Sequence, residues 1–333
     1  MVAPSSERPA LPFTAPWLLA PMEGVTDPSF RDLVMDRHRK EDLGGGFTEF
    51  ARVSVAPLPR RILSAHLGDR RHAMPVGLQL MGNHEDHLAT TACRAVDVGA
   101  PLIDLNFGCP ARGANRTCAG SALLDDPPRI ERIVARLRSA LPKDTPLSAK
   151  IRAGVRDDRR LEDVARAVQA GGADLLTVHC RTREEGYREE ALDWSRIRRV
   201  VDAVPGLPVC GNGGVSRHAD FERMRRETGC DFVMVGRAAI GNPWIFRERA
   251  ASDMEAIEFL EDYARVMWAR CAPRAHHAAA RLKQMIKHWT AARLFADDRA
   301  TWLTEADADR LLDRLMALGR QMRHLKDSGR AAG

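Results

Sequence analysis

A cysteine between a glycine and a proline is the residue of this sequence whose chemistry is easiest to anticipate. Cys109 stands in the segment Asp104–Pro110 (DLNFGCP), directly after an apolar run. A tight loop there would present the thiol as a nucleophile or a general acid, and an unperturbed thiol, with a pKa of about 8.5, stays mostly protonated at neutral pH. An isolated cysteine of this kind is more often a buried loop residue. The polar residues that end the other apolar runs favour the chemical interpretation.

Lys150 and His179 each close an apolar run in the same way. A lysine in an apolar strand is costly unless it meets an anion, and only six of the 51 basic residues in the chain are lysines. His179 alone is explained equally well as a hydrogen-bonded core histidine. Together the two residues would suit a flavin, whose reduced form carries negative charge at its polar edge.

The apolar runs that position these residues recur down the first three quarters of the chain. They predict eight buried parallel strands, at Trp17–Pro21, Gly46–Phe50, Pro75–Leu80, Pro101–Phe107, Pro146–Ile151, Asp174–His179, Leu207–Asn212 and Asp231–Gly236. Helical periodicity lies between them, at Asp86–Val98, Pro128–Ala140, Leu161–Ala170, Trp194–Ala203 and His218–Glu227. This alternation predicts an α/β fold, a (β/α)8 TIM barrel, with an open doubly wound sheet as the alternative. In a barrel the polar strand ends would share one face, where barrel enzymes keep their chemistry.

Glycines follow the last two predicted strands. Gly211–Gly214 (GNGG) and Gly236-Arg237 fall where barrels commonly bind phosphate. A lone glycine cluster is more often a turn. Its repetition after strands seven and eight, together with Lys150, predicts FMN lying across the barrel mouth.

Beyond about Pro243 the periodicity is helical, with segments at Met254–Cys271, Ala275–Phe295 and Glu305–Leu325. We therefore divide the chain into an N-terminal extension (1–16), a TIM-barrel catalytic domain (17–245) and a C-terminal all-helical domain (246–333) of three or four helices. Within the helical part, basic residues cluster with Trp289, and they are Arg281, Lys283, Lys287, His288, Arg293 and Arg299. Such a cluster suits an RNA backbone, although an ordinary solvated helix face is the more frequent explanation.

Composition narrows the class of protein. The 333 residues carry 51 Lys+Arg against 45 Asp+Glu, a net charge of +6 that suits a polyanionic partner without requiring one. No apolar run approaches the ~20 residues of a membrane span, and residues 1–16 lack the apolar stretch of a signal peptide, so we expect a cytoplasmic protein. The seven cysteines are scattered without a Cys-x-x-Cys pair, so we expect neither a metal site nor disulfides.

Taken in order, these motifs resemble the tRNA-dihydrouridine synthase family over about residues 17–325. The resemblance rests on the segments Ala20–Val25, Gln79–Gly82, Asn106–Pro110, Lys150–Arg152, Val178–Arg183, Gly211–Gly214 and Gly236-Arg237. Three further segments resemble the bacterial branch that acts on uridine 16 of the D-loop, and they are Thr48–Val53, Arg183–Arg188 and Arg281–Gln284.

The resemblance implies a cofactor, a reductant and a substrate. FMN would be held by Pro21, Met22, Glu23, Gln79, Lys150, His179, Asn212, Gly213, Gly214, Gly236 and Arg237. NADPH or NADH would reduce the flavin, whose N5 would pass hydride to C6 of a flipped-out uracil while Cys109 protonates C5. Asn106 would hold the uridine, and the tRNA would be held by Arg52, Tyr187, Arg281, Lys283, His288 and Arg299. No obligate protein partner is indicated.

The sequence departs mildly from the family pattern. Cys180 stands where relatives often have Gly or Ala, and Gly213-Gly214 replaces the commoner glycine followed by an acidic or other residue. Cys118 adds a second thiol near the first, but Cys109 stays the predicted acid because Cys118 lacks the Gly-Cys-Pro frame.

Two other classes of protein remain as alternatives. The first is an FMN-dependent TIM-barrel reductase of a small pyrimidine or another small molecule, against which the basic helical domain argues. The second is a non-catalytic RNA-binding protein, against which the set of Cys109, Lys150 and His179 argues.

Overall fold

Parallel strands form a closed sheet in the first two thirds of the protein. The computed structural model describes residues 8–69, 72–110 and 119–331, so that Cys118 lies outside the described residues. The strands are β1 (Trp17–Leu19), β2 (Gly45–Phe47), β3 (Ala51–Arg52), β4 (Val76–Met81), β5 (Ile103–Phe107), β6 (Leu147–Arg152), β7 (Leu175–His179), β8 (Val209–Asn212) and β9 (Phe232–Val235). Each predicted strand is present, as expected of apolar runs buried on both faces.

The strand pairing closes the sheet into a barrel. From β4 to β9 each strand pairs in parallel with the next, β9 pairs with β1, and β1 pairs with β2. β2 and β3 both pair with β4, through Gly46 opposite Val76 and Ala51 opposite Leu80, so they fill one barrel position between them. Eight positions result, which confirms the (β/α)8 barrel and excludes the open doubly wound sheet, because an open sheet would have two edges.

Helices follow the strands as predicted. The described helices before residue 237 are α1 (Pro28–Met35), α2 (Arg60–Leu67), α3 (Glu85–Asp97), α4 (Pro127–Ala140), α5 (Leu161–Ala170), α6 (Ser195–Ala203) and α7 (Ala219–Thr228). α4 shows why the sequence folds this way: the Asp126 side chain accepts from the Arg129 N–H at its start, and its buried apolar residues recur at helical spacing.

The barrel interior changes from apolar to polar along the strands. Buried residues such as Leu18, Phe47, Leu175 and Met234 form an apolar cluster. Gln79, Asp104 and Ser148 are also fully buried, and they lie opposite one another in the sheet register. Two residues further along, Asn106 lies opposite Lys150. The polar layers therefore lie towards the carboxyl ends of the strands.

The chain forms two compact units. The described residues up to Pro28 form the barrel unit with Lys40–Gly236, and Ser29–Arg39 form the helical unit with the residues from Arg237 onwards. The helical unit contains α1, α8 (Arg237–Gly241), α9 (Asp253–Cys271), α10 (Ala275–His288), α11 (Arg299–Thr304) and α12 (Ala308–Ala331). The predicted C-terminal all-helical part is thus confirmed. Among the described helices, none is both long and apolar enough to cross a membrane.

The prediction of one helix from Ala275 to Phe295 is wrong, because α10 ends at His288. Trp289 leaves the helix in an extended conformation, and its buried ring packs near Trp244 and Phe259. The backbone of Ala292 and Arg293 then takes positive φ angles of 51° and 54°, which no right-handed helix accommodates.

Candidate active site

Cys109 lies in the loop after β5, and its side chain is buried. Its N–H donates to Asn106 Oδ1 at 2.8 Å, and its carbonyl oxygen accepts from Ser121 Oγ at 2.8 Å. The thiol side chain packs with Met81 and Ala119. Gly120 allows this approach, since a Cβ there would lie 3.0 Å from the Cys109 oxygen. The Cys109 backbone is therefore hydrogen-bonded through both its N–H and its carbonyl oxygen, and its side chain is packed.

A chain of side-chain hydrogen bonds leads to this loop from the barrel interior. Gln79 Nε2 donates to Asp104 Oδ2 at 2.6 Å, and Asn106 Nδ2 donates to Gln79 Oε1 at 2.8 Å. Asn106 Oδ1 then accepts from the N–H groups of Gly108 and Cys109. We call Asp104, Gln79 and Asn106 the amide chain. The structure thus brings together two predicted site residues, Gln79 and Asn106, with Asp104, which sequence reasoning did not select.

Lys150 lies in the second half of β6, and Asn212 is the last residue of β8. Lys150 Nζ donates to Asn212 Oδ1 at 2.9 Å, and Asn212 Nδ2 donates to the Met234 oxygen at 2.8 Å. Burial, reinforced by the charge of Arg152, lowers the pKa of Lys150 from 10.5 to about 8. Lys150 is therefore still mostly protonated at pH 7 and supplies a positive charge near the barrel mouth.

His179 ends β7 and is buried beside this charge. Its Nδ1 accepts from the Arg181 N–H at 3.2 Å, which assigns the proton of the neutral ring to Nε2. Burial, with the positive charges of Arg152 and Lys150, lowers the pKa of His179 well below its usual value of 6.5. His179 is therefore a neutral hydrogen-bond donor through Nε2–H.

All three predicted site glycines lie directly against the side chains of other residues. A Cβ at Gly213 would lie 3.5 Å from His179 Nε2, and the φ of Gly213 is +109°. A Cβ at Gly214 would lie 2.5 Å from a side-chain carbon of Leu192, and one at Gly236 would lie 3.3 Å from Met22 Sδ. A side chain at any of these positions would press against a neighbouring side chain, so glycine is favoured. Because glycine has no side chain, the backbone itself is accessible to a ligand.

The turn after β1 contains Pro21, Met22 and Glu23. The Met22 oxygen accepts from the N–H groups of Val25 and Thr26, and the Met22 N–H donates to Thr26 Oγ1 at 2.8 Å. Pro21 is half-buried and the Glu23 side chain is exposed. The backbone of this turn is thus held by its own hydrogen bonds.

Arg152 is the main site residue that sequence reasoning missed. It is buried, and its guanidinium donates to the backbone oxygens of Gly108 at 3.0 Å, Thr182 at 3.1 Å and Gly186 at 3.2 Å. The half-exposed ring of Tyr187 lies edge-on to the His179 ring, with 6.0 Å between the centroids. Arg152 stands two residues after Lys150 and so shares its face of β6, a signal that could have identified it.

The predicted RNA-contacting cations lie in both units. Arg52 is exposed at the end of β3 in the barrel unit, whereas Arg281, Lys283 and His288 lie on α10 and Arg299 begins α11 in the helical unit. Arg237, predicted to bind FMN, is the exposed first residue of α8.

Two of these cations already bind backbone oxygens. Lys283 donates to the Glu305 oxygen, and Arg299 donates to the Trp289 oxygen. Burial, followed by the nearby positive charge of Lys287, lowers the pKa of His288. Lys287 on the same helix is exposed, so it is better placed to meet an anion.

Comparisons with known proteins identify the family of this chain. A family model described as "Dihydrouridine synthase (Dus)" matches residues 18–327. A tRNA-dihydrouridine(16) synthase of Cupriavidus necator is 37% identical over 79% of this chain and 85% of its own length. That of Aquipseudomonas alcaligenes is 36% identical over 90% of this chain and 98% of its own length. Among solved structures, a FabK mutant from Thermotoga maritima is 14% identical, with a TM-score of 0.44 over 70% of this chain and 64% of that one, a similarity too low to indicate function. On the family match and these relatives, the chain belongs to the dihydrouridine synthase family.

Proposed function

We propose that this protein reduces uridine 16 of tRNA to 5,6-dihydrouridine, with FMN as its cofactor and NADPH or NADH as the reductant. The observation that carries the proposal is Cys109, whose backbone N–H is held by the amide chain on the same barrel that carries Lys150 and His179. Position 16 is supported by the relatives named tRNA-dihydrouridine(16) synthase, at 37% and 36% identity.

The residues present fit FMN. Lys150 offers a positive charge and His179 a neutral N–H donor to the polar edge of a flat ring. Gly213, Gly214 and Gly236 carry no side chain, and glycine lets the backbone come close to a phosphate. We assign to FMN these residues and also Pro21, Met22, Glu23, Gln79, Asn212 and Arg237. Bound FMN, once reduced, supplies the hydride that C6 of the uracil accepts.

The chain's own side chains complete the reaction. Cys109 donates its thiol proton to C5, because hydride addition at C6 leaves negative charge that a nearby acid must neutralise. The Asn106 side-chain amide has two N–H bonds. One of them donates a hydrogen bond to Gln79 Oε1, and the other donates to a uridine carbonyl oxygen. The target base must leave its stack to reach this site, and the half-exposed Tyr187 ring offers it a surface.

The tRNA backbone requires contacts of its own. We assign residues 246–333 as a tRNA-binding domain and residues 17–245 as the catalytic domain. The backbone contacts come from Arg52, Arg281, Lys283, His288 and Arg299, and such contacts position RNA without reading its sequence. Tyr187 contacts the tRNA through the flipped base. Because the substrate is tRNA, we assign the enzyme to the cytoplasm.

The test follows one sample through the whole reaction. The purified protein is examined for flavin absorption, mixed anaerobically with NADPH and then with unmodified tRNA, and the product is mapped by position. We expect bound flavin, bleaching by NADPH, tRNA-dependent recovery of the colour and dihydrouridine at position 16. A tRNA with cytidine at position 16 is the matched control and should give no product. Turnover of free pyrimidines without turnover of tRNA would instead identify a small-molecule reductase.

A further inference from the structure

Asp104 is a buried carboxylate that the proposed reaction does not use. Only 1% of its surface is exposed, and both of its oxygens accept hydrogen bonds, from Gln79 Nε2 at 2.6 Å and from Ser148 Oγ at 2.5 Å. The strand register explains these contacts, since Asp104 on β5 lies opposite Gln79 on β4 and Ser148 on β6. Burial of a carboxylate is costly, so these hydrogen bonds must compensate for it.

A carboxylate settles the direction of a side-chain amide because it can only accept hydrogen bonds when ionised. Burial raises the pKa of Asp104 to about 6, so the group is still mostly ionised at pH 7. The NH2 group of Gln79 must therefore face Asp104, which leaves the Gln79 oxygen facing Asn106. Asn106 donates to this oxygen through its own NH2 group. The Asn106 oxygen accepts from the N–H groups of Gly108 and Cys109. The carboxylate at one end of the chain and the two backbone N–H donors at the other therefore require the same direction of both amides.

We infer that Asp104 is a positioning residue, which anchors the Gln79 end of the amide chain and, through Gln79 and Asn106, holds the backbone of Cys109 in place. Its catalytic consequence rests on the proposed function, but the anchoring itself does not. Asp104 touches neither the thiol nor the loop, so its effect on Cys109 passes through the other two members of the amide chain.

Reversing the direction of the chain provides the sharpest test. Asp104→Asn removes the charge that fixes Gln79. Asn106→Asp places a carboxylate against the Gln79 oxygen. In the double variant D104N/N106D, Gln79 can turn over, so that every donor again meets an acceptor and the Gly108 and Cys109 N–H groups keep a partner. The amide chain therefore predicts that the second change compensates for the first.

The primary readout is the melting temperature of the four flavin-free proteins. We expect each single variant to melt lower than the wild type, and the double variant to lose less than the sum of the two single losses, because coupled residues are not additive. In a Gln79→Leu background this compensation should disappear. Additive losses, or compensation that persists in that background, would overturn the inference.

The second readout is the alkylation rate of Cys109 by iodoacetamide, followed on its own peptide by mass spectrometry. If Asp104→Asn does not fold, Gln79→Leu breaks the same chain without changing its charge. We expect either variant to change the rate several-fold, and Cys93→Ala to leave it unchanged, because Cys93 lies on α3 and takes no part in the amide chain. An unchanged rate in the variants of the chain would contradict the inference.

Activity separates this inference from the proposed function. With uridine 16 as the target, Asp104→Asn should lower kcat about 10- to 100-fold with little change in KM for tRNA, as misplacement of a catalytic group does. Cys93→Ala should show the wild-type kcat, because Cys93 lies outside the site. A wild-type protein that makes no dihydrouridine would refute the proposed function, while the melting temperatures would still decide the role of Asp104.

Discussion

The Arg152 guanidinium lies 5.2 Å from the centre of the Tyr187 ring. The same guanidinium donates to the oxygen of Gly108, beside Cys109, and to the oxygens of Thr182 and Gly186, the second of which is beside Tyr187. One buried side chain thus joins the loop after β5, which carries the proposed acid, to the loop after β7, which carries an exposed aromatic ring. The two loops are held as a pair.

Arg152→Lys should therefore damage both loops while keeping the positive charge. A lysine ammonium is a point charge and cannot reproduce the planar set of donors that serves three oxygens. Loss of one or two hydrogen bonds from a buried charged group costs about 2–4 kcal/mol. We expect a lower melting temperature and at least about a tenfold loss of dihydrouridine formation, from misplacement of Cys109.

Arg156→Lys is the matched control for that variant. Arg156 lies four residues further along the same connection, and its side chain is 83% exposed. An exposed arginine contributes little to stability, so this variant should resemble the wild type. If Arg152→Lys also resembled the wild type, a positive charge alone would suffice at position 152 and the planar set of donors would not be needed.

Cys109→Ala should separate the two halves of the proposed reaction. The variant keeps Lys150, His179 and the glycines, so it should bind FMN and be reduced by NADPH as the wild type is. It lacks the proton donor for C5, and loss of a general acid costs about 10²- to 10⁴-fold in rate. Single-turnover mixing with tRNA measures the defect directly.

Cys93→Ala is the control for thiol removal. Cys93 lies on α3, where its Sγ is 3.4 Å from the Ala140 oxygen, and it takes no part in the site. It should make dihydrouridine at the wild-type rate. Normal product formation by Cys109→Ala would remove Cys109 from the role of proton donor.

The barrel could be predicted from the sequence because each strand is a continuous apolar run closed by a polar residue or glycine. Lys150 and His179 stood out for the same reason, since a charged or polar side chain is conspicuous at the end of such a run. The end of α10 at His288 was not predicted, because the helical periodicity continues past it. What ends the helix is the packing of Trp289 against Phe259, a contact between distant parts of the chain.

Asp104 and Arg152 were missed for a different reason. Asp104 is one polar residue inside a buried strand. Its hydrogen bonds depend on the strand register, which places it opposite Gln79 and Ser148. Arg152 acts through the backbone oxygens of three residues, one of which is 44 positions away. Sequence patterns identify types of side chain at strand ends, but they do not show which backbone atoms those side chains meet.

Two lysines of α10 should differ in their contributions to tRNA binding and to protein stability. Lys287 is exposed, so Lys287→Ala should weaken tRNA binding and reduce the salt dependence of log Kd by about 0.7–0.9, the effect of one phosphate contact. The melting temperature should not change. Lys283 donates to the Glu305 oxygen, so Lys283→Ala should lower the free energy of unfolding by about 1 kcal/mol as well.

Binding is measured by fluorescence anisotropy of labelled tRNA between low and moderate salt, and stability by thermal melting. Lys326→Ala, on the exposed part of α12, serves as the control for charge alone. A wild-type affinity that does not depend on salt would contradict the assignment of these residues to the tRNA backbone.

The lowered pKa of Lys150 makes FMN affinity depend on pH. The ammonium is positively charged below a pKa of about 8 and loses its charge above it. Because the charged form favours an anionic ligand, the Kd for FMN should be constant near pH 7 and rise above pH 8, by at most about tenfold per pH unit. Lys150→Met should bind FMN more weakly at every pH and without this dependence, whereas Lys143→Met, at an exposed position, should behave as the wild type.

Lys150 should also make the stability of the flavin-free protein depend on pH. Its contribution to stability should increase as pH rises, whereas FMN binding should weaken. The unfolded chain holds the Lys150 proton up to a pKa near 10.5, but the folded protein releases it at about 8. Between these values the unfolded state binds more protons, so the contribution of Lys150 to the free energy of unfolding rises with pH. Urea unfolding at pH 8, 9 and 10 should therefore show the wild type gaining stability relative to Lys150→Met. A constant difference between the two proteins would mean that Lys150 keeps its usual pKa in the fold, and the pH dependence of FMN binding should then be absent as well.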